Sequence, residues 1–323
     1  MTAVQRIYTG IEDFDQITDA AAAWDADFRL LGSGEGSGVI EAISTGQAVV
    51  QRNRLGWNLH QRGASPRGFR TFGIGADGNQ RLHWNGHTVE SDWILSFPSD
   101  GSFDSVSGKT FHFYALSFDE ELVQSTARLL GLPPVGDLLP AAGTPRQSAE
   151  SVRCIRRTLQ SIIQASRQFQ IPDSGMHAGL ARVIEWDLLS QILSGLATGR
   201  PAARPMAHLR SVALRRCTEF IEQSAGQPIT VRELCEVSGA SWRTLDYAFK
   251  ERYGLAPKAY LRAHRLNAVR AELRDMSKAA GTIASVAGRW GFWHMSQFAV
   301  DYRKLFGELP SDTLRGRERS TLP

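Results

Sequence analysis

Up to about residue 119, apolar and polar residues alternate over short stretches, the period of a strand that buries one face. The stretches run over residues 38–44, 47–52, 57–62, 69–74, 93–98 and 110–118. Turn signals such as Asp77-Gly78-Asn79 and Asn85-Gly86 separate them, and a short helix is predicted at about Asp15 to Trp24. Many short strands at this spacing predict a β-barrel or sandwich.

From about Asp119 the period becomes helical, with a Pro- and Gly-bearing break at 130–145. Two long amphipathic helices follow. The first, over 148–168, aligns Val152, Ile155, Leu159, Ile162 and Ile163; the second, over 177–198, aligns Leu180, Val183, Ile184, Leu188, Ile192 and Leu196. They either cover the barrel or pair between subunits of a homodimer. GRPAARP (199–205) has no periodicity and the composition of a linker. The expected domains are 1–198, whose 148–198 region is a helical dimerisation or cover element, a linker at 199–207, and 208–318.

Beyond the linker one pattern occurs twice, at an offset of about 52 residues. ITVRELCEVSGASWRTLDYAFKERYG returns as TIASVAGRWGFWHMSQFAVDYRKLFG, with Cys235 matching Ala287, Gly239 matching Gly291, and Leu245 and Phe249 matching Phe298 and Tyr302. The small residue lets a second helix cross the first closely, and the glycine supplies a left-handed turn, so each copy reads as a helix-turn-helix. Leu245, Phe249, Phe298, Tyr302 and Phe306 sit at core spacing, which leaves the opposite helix faces free for DNA. Between the copies, residues 257–276 predict a helix with Pro257 in its first turn and Tyr260, Leu261, Leu266, Val269 and Leu273 as its stripe. Twenty residues make a rod of roughly 30 Å, close to the ~34 Å of one DNA turn. One chain is thereby expected to reach two adjacent major grooves. Arg262, Arg265, Arg270 and Arg274 on this helix are expected to be ion-paired or phosphate-facing.

Charge sharpens the division. Residues 208–323 hold 19 Lys and Arg against 12 Asp and Glu, net +7, while residues 1–207 hold 18 against 21, net −3. A basic C-terminal part suits DNA, and the N-terminal part has another task. No run of 18 apolar residues exists and the N-terminus lacks a signal-peptide pattern, so a cytoplasmic, nucleoid-associated protein without a membrane partner is expected. Cys154, Cys217 and Cys235 show no metal spacing and read as small buried hydrophobes.

With these motifs in hand, the last ~110 residues resemble the AraC/XylS family of bacterial transcription regulators, through IASVAGRWGF, FAVDYRKLFGELPSDTLR and GLAPKAYLRAHRLNAVRAEL. The resemblance implies double-stranded DNA as partner, RNA polymerase as a further one, and activation as the outcome. It places DNA contacts on Trp242, Arg243, Thr244, Asp246, Tyr247 and Lys250, and on His294, Met295, Ser296, Gln297, Val300 and Arg303. Val300 stands where many members carry a basic residue, and Tyr302 where many carry phenylalanine. Val300 is therefore expected to meet a thymine methyl. A weaker resemblance, from WDADFRLL through VVQRNRLGWNLHQRG to WILSFPSDGSFD, points to the family's cupin-like sensor barrels, which bind small organic effectors. The fold class that follows is α+β in two domains: a cupin-like barrel with C-terminal flanking helices, then an all-α domain of two helix-turn-helix units on a long linker helix.

For an effector, the candidate contacts are Trp57, His60, Arg70, Phe72, Trp84 and Phe97, and Arg52, Arg54, Arg62, Arg67 and Arg70 suggest an anionic group. Control by a protein partner or by the regulator's own level is the alternative. A metal-cupin enzyme is the remaining one, on His60, His83, His87, Glu90 and His112, but no HxH occurs. There is no GxSxG, HExxH or phosphate-binding glycine loop, and Gly32 to Gly38 precedes a strand without a following helix. Neither an enzyme nor a bound cofactor or metal is expected.

Overall fold

A computed structural model describes residues 4–21, 24–32, 36–77, 82–98, 102–139, 145–168, 174–201, 209–224, 229–275 and 282–320. The chain divides into two compact units, one formed by 1–28, 37–56 and 61–204, the other by 29–36, 57–60 and 205–323.

The strands are β1 (Gln5–Ile11), β2 (Asp25–Leu30), β3 (Gly38–Ser44), β4 (Ala48–Leu55), β5 (Leu59–Ala64), β6 (Phe69–Gly75), β7 (Leu82–Trp84), β8 (His87–Val89), β9 (Trp93–Ser96), β10 (Phe103–Ser107), β11 (Phe111–Asp119), β12 (Arg146–Gln147) and β13 (Arg200–Pro201). They form two sheets, ordered β1-β3-β4-β11-β6-β9-β12-β13 and β2-β5-β10-β7-β8. The predicted strands at 38–44, 69–74 and 110–118 are present almost residue for residue. β1, β2, β7, β8, β10 and the two-residue β12 are additional. The start of the expected linker instead adds a strand to the larger sheet, since β13 pairs with β12; the rest of 199–207 lies outside the described residues, as do Gly78 and Asn79.

Period-two alternation gives the larger sheet two different faces. Val50, Leu116, Phe118, Phe72 and Ile74 point to one side, where they join Val152, Ile155, Leu159, Ile192 and Leu196 in one core. Gln51, Asn53, Leu55, Phe111, Phe113 and Ala115 point to the other, toward the smaller sheet. The helices of this unit are α1 (Asp15–Ala20), which lies at the cavity, and, on the first side, α2 (Glu120–Leu129), α3 (Val135–Leu138), α4 (Ala149–Gln168), α5 (Ser174–Arg182) and α6 (Leu189–Thr198). Between α5 and α6 the expected single helix widens into a π-helical turn, Val183–Leu188. The extra residue per turn lets Leu188 and Leu189 both face inward. The apolar stripes of α4 and α6 are thus buried inside this unit. Cys154, expected to be buried, is exposed on α4.

On the helix side one carboxylate is fully enclosed. Glu41 receives Arg6 at 2.6 Å and Arg167 at 3.4 Å, with Arg52 at 3.9 Å. Burial alone raises its pKa, but the hydrogen bonds and charges of Arg6 and Arg167 outweigh that and hold it below the usual carboxylate range.

The second unit contains α7 (Leu209–Gln223), α8 (Val231–Ser238), α9 (Trp242–Tyr253), α10 (Pro257–Asp275), α11 (Ile283–Arg289), α12 (Met295–Phe306) and α13 (Pro310–Ser320). The two copies of the repeat are α8–α9 and α11–α12. Tyr260, Leu261, Leu266, Val269 and Leu273 of α10 are buried as expected. Arg270 is buried too: it donates to Glu308 at 2.8 Å and lies 4.6 Å above the Phe306 ring.

Candidate nucleic-acid interface

Each copy of the repeat is cut to length by its caps. Thr230 and Glu233 close a capping box at the start of α8, and Thr282 with Ser285 does the same for α11. Gly239 and Gly291 take φ of +67° and +78°, the left-handed conformation that turns each chain into its second helix. Ser241 caps α9 by accepting from the Thr244 amide at 3.3 Å. His294 occupies the equivalent position before α12 without capping through its side chain.

The buried faces of α9 and α12 carry Leu245, Ala248 and Phe249, and Phe298, Tyr302, Leu305 and Phe306. Tyr302 departs from phenylalanine with a reason: its hydroxyl lies 2.8 Å from Thr313 Oγ1, beside the Arg270–Glu308 pair. Burial pushes this phenol up to about 12, so it stays a neutral hydrogen-bonding group.

The opposite faces hold the predicted contacts. Trp242, Arg243, Tyr247 and Lys250 are exposed on α9, with Thr244 and Asp246 half-buried; His294, Ser296, Gln297, Val300 and Arg303 are exposed at α12, with Met295 half-buried. Internal pairing orders several of them. Lys250 Nζ donates to Asp246 at 2.8 Å, and the Arg243 guanidinium sits 5.8 Å from the Tyr247 ring centre. Gln297 donates to Asp301 at 3.0 Å, and Arg262 of α10 donates to the same carboxylate. Large apolar side chains stand in water here: Trp242 is 49% exposed, Tyr247 52% and Val300 61%. Trp293, 76% exposed, stands in the turn just before α12. Of the linker-helix arginines, Arg265 donates to the Ile229 carbonyl, Arg262 pairs with Asp301, and Arg270 is buried.

In the first unit a cavity of about 60 Å³ lies between the two sheets. Trp84 and Phe97, two of the expected effector contacts, line it with their rings 4.5 Å apart. The other four do not. Phe72 points to the helix side because it is one residue out of phase with the inward Gly73, whose missing side chain makes room for Phe113. Arg70 is forked onto Glu120 with two bonds of 2.9 Å. His60 and Trp57 fall in the second unit, where the His60 ring lies 5.3 Å from Tyr253.

The arginines expected to greet an anion are also elsewhere. Arg52 donates to His112 at 2.9 Å, Arg62 lies 3.7 Å from Asp104, and among the described residues no charged side chain lines the cavity. Its polar groups are Gln51, Asn53, Gln61 and Ser105, which alternation put inward and the sequence reading overlooked. Gln51 donates to Asn53 at 2.8 Å, whereas Nε2 of the buried Gln61 has no partner among the described residues. The histidines weighed as metal ligands are dispersed: His83 bonds Thr88 and His112 bonds Asp77. Among the described residues no group of three His, Cys, Asp or Glu side chains could hold a metal ion. No helix among them is long and apolar enough to cross a membrane.

Comparison with known proteins agrees with the repeat. A family profile described as "Helix-turn-helix domain" matches residues 234–316. The chain is 38% identical over 110 residues, 34% of its length and 33% of the other's, to the XylDLEGF operon transcriptional activator 3 of Pseudomonas putida. It is 33% identical over 102 residues, 32% of its length, to the probable thc operon regulatory protein of Rhodococcus erythropolis, covering 31% of that protein. The chain therefore spans about a third of the length of these curated relatives. Among solved structures, that of the AraC-like transcriptional activator CuxR aligns over 83% of this chain and 96% of its own, at 15% identity and a TM-score of 0.46.

Proposed function

Since residues 234–316 match a helix-turn-helix domain profile, we propose that the protein is a sequence-specific DNA-binding transcription regulator of the AraC/XylS family, and an activator. The observation that carries the reading is the pair of capped helix-turn-helix units whose exposed helix faces bear Arg243, Tyr247, Gln297 and Val300 on one basic chain segment. α9 and α12 enter successive major grooves, with α10 as the spacer. Activation rests on the relative from Pseudomonas putida, which is named an operon transcriptional activator, and RNA polymerase is the partner that activation requires. Selection of bound duplexes from a random pool with the full-length protein tests it: an enriched site with two reading segments about one turn apart is expected. A pool without enrichment removes it.

The first unit acts as the sensor, and its effector is a small uncharged molecule. A charged ligand would lose its hydration in a cavity that has no countercharge among its described lining residues, which is costly. The free N–H of Gln61 asks for a carbonyl or hydroxyl acceptor. At about 60 Å³ the space is smaller than the ~150 Å³ that admits benzene, so the ligand is compact or displaces a ring of the wall. Thermal shifts of the full-length protein against matched neutral and anionic compounds decide the class. Hits confined to anions would overturn the uncharged assignment, and a panel with no hits favours control without a ligand.

A further inference from the structure

We propose that Asp301, held by Arg262, is a positioning residue that locks the Gln297 amide in the one orientation that reads adenine. The proposal rests on α12 being a base-reading helix and goes beyond it by naming the base and the device.

Gln297 and Asp301 are one helical turn apart, and Gln297 Nε2 donates to Asp301 Oδ1 at 3.0 Å. Arg262 Nη1 lies 3.3 Å from one oxygen of the same carboxylate and 3.4 Å from the other. The Asp301 side chain is only 12% exposed, so its rotamer is set by these partners, while Gln297 stands in water on the outer face. An ionised carboxylate only accepts hydrogen bonds. The amide must therefore turn its NH₂ group toward Asp301; the flipped amide would bring two acceptors face to face. One N–H and Oε1 of Gln297 remain for DNA.

That remaining pair is one donor beside one acceptor. Adenine offers the complement in the major groove, an N7 acceptor beside an N6 amino donor, whereas guanine offers two acceptors. A freely turning glutamine can shift toward guanine by presenting its NH₂ group; one locked by Asp301 cannot. Arg262 has a second effect, since it neutralises a carboxylate that would otherwise repel the phosphates. The tie between α10 and α12 thus supports base choice as well as packing.

The test is random-pool selection with full-length wild type, Gln297→Ala, Asp301→Ala and Asp301→Asn, followed by titration of single-base variants of the enriched site. In wild type, one position of the half-site read by α12 is expected to prefer adenine over guanine by roughly 5- to 150-fold, the range of a good bidentate contact. Gln297→Ala and Asp301→Ala abolish that preference at that position and leave the other half-site intact. Asp301→Asn is nearly isosteric and can donate to Oε1, so the amide is released to turn and guanine gains on adenine; a purely structural role would not move this ratio. Adenine preference that survives Asp301→Asn overturns the proposal, as does an equal loss at every position. A wild-type pool without enrichment would instead overturn the reading of α12 itself.

Discussion

Two side chains in the first unit carry unequal loads that can be measured one at a time. Gln61 buries an amide N–H without a partner among the described residues, and such a group costs about 1–3 kcal/mol. Gln61→Leu is expected to raise the urea midpoint of the unliganded protein and to abolish its response to any effector; a lowered midpoint would mean that the amide is paired in solution. Glu41 works in the opposite sense, because its folded pKa lies below the ordinary carboxylate value despite burial, through Arg6 and Arg167. A depressed carboxylate stabilises the fold above its unfolded pKa, and the contribution is lost as pH falls through the folded pKa. Wild type should therefore lead Glu41→Gln in stability at neutral pH, and the lead should shrink below about pH 4.5, the ordinary value. A difference that is flat from pH 7 to 3 would contradict the ion pairing.

At the level of elements, the glycines that end α8 and α11 make a testable pair with their surroundings. Gly239 has φ of +67° and nothing within 4 Å of the place where a side chain would begin, so Gly239→Ala adds backbone strain without a clash. The left-handed conformation costs a non-glycine residue about 1–2 kcal/mol, and denaturation of the second unit should register that loss; no change would mean that the turn relaxes. This turn was legible because a glycine at a fixed offset in two copies has one physical meaning. The helical stripes of α4 and α10 were legible for the same reason, periodicity with a single solution. The strands that escaped notice had weaker patterns. β1 pairs only with β3 and is largely exposed, and β10, FDSVS, buries serines on its inward side. Phe72 and Arg70 were misplaced because alternation reveals two faces without telling which one encloses a cavity. Gln297 and Asp301 were visible as a helical pair, but Arg262, 39 positions away, was not.

For the whole molecule, charge and fold divide along the same line. The excess of seven positive charges over residues 208–323 lies in the unit that holds both helix-turn-helix copies, and the cavity lies in the other. Such an arrangement separates two contributions to DNA binding. Each phosphate contact releases counterions, so log K falls against log salt by about 0.9 per contact, whereas a base contact changes affinity at one position. Arg303, exposed in the last turn of α12, lies beyond the exposed residues at the start of that helix, and Arg243 sits in the first turn of α9 over Tyr247. Arg303→Ala should therefore lower the salt slope by about 1 and weaken all sequences alike. Arg243→Ala should cost about 1–3 kcal/mol at one base pair and little elsewhere. Filter binding from 50 to 200 mM salt on matched and mismatched duplexes separates the two, and an Arg243 variant that loses slope with its base preference intact would make that residue a phosphate anchor.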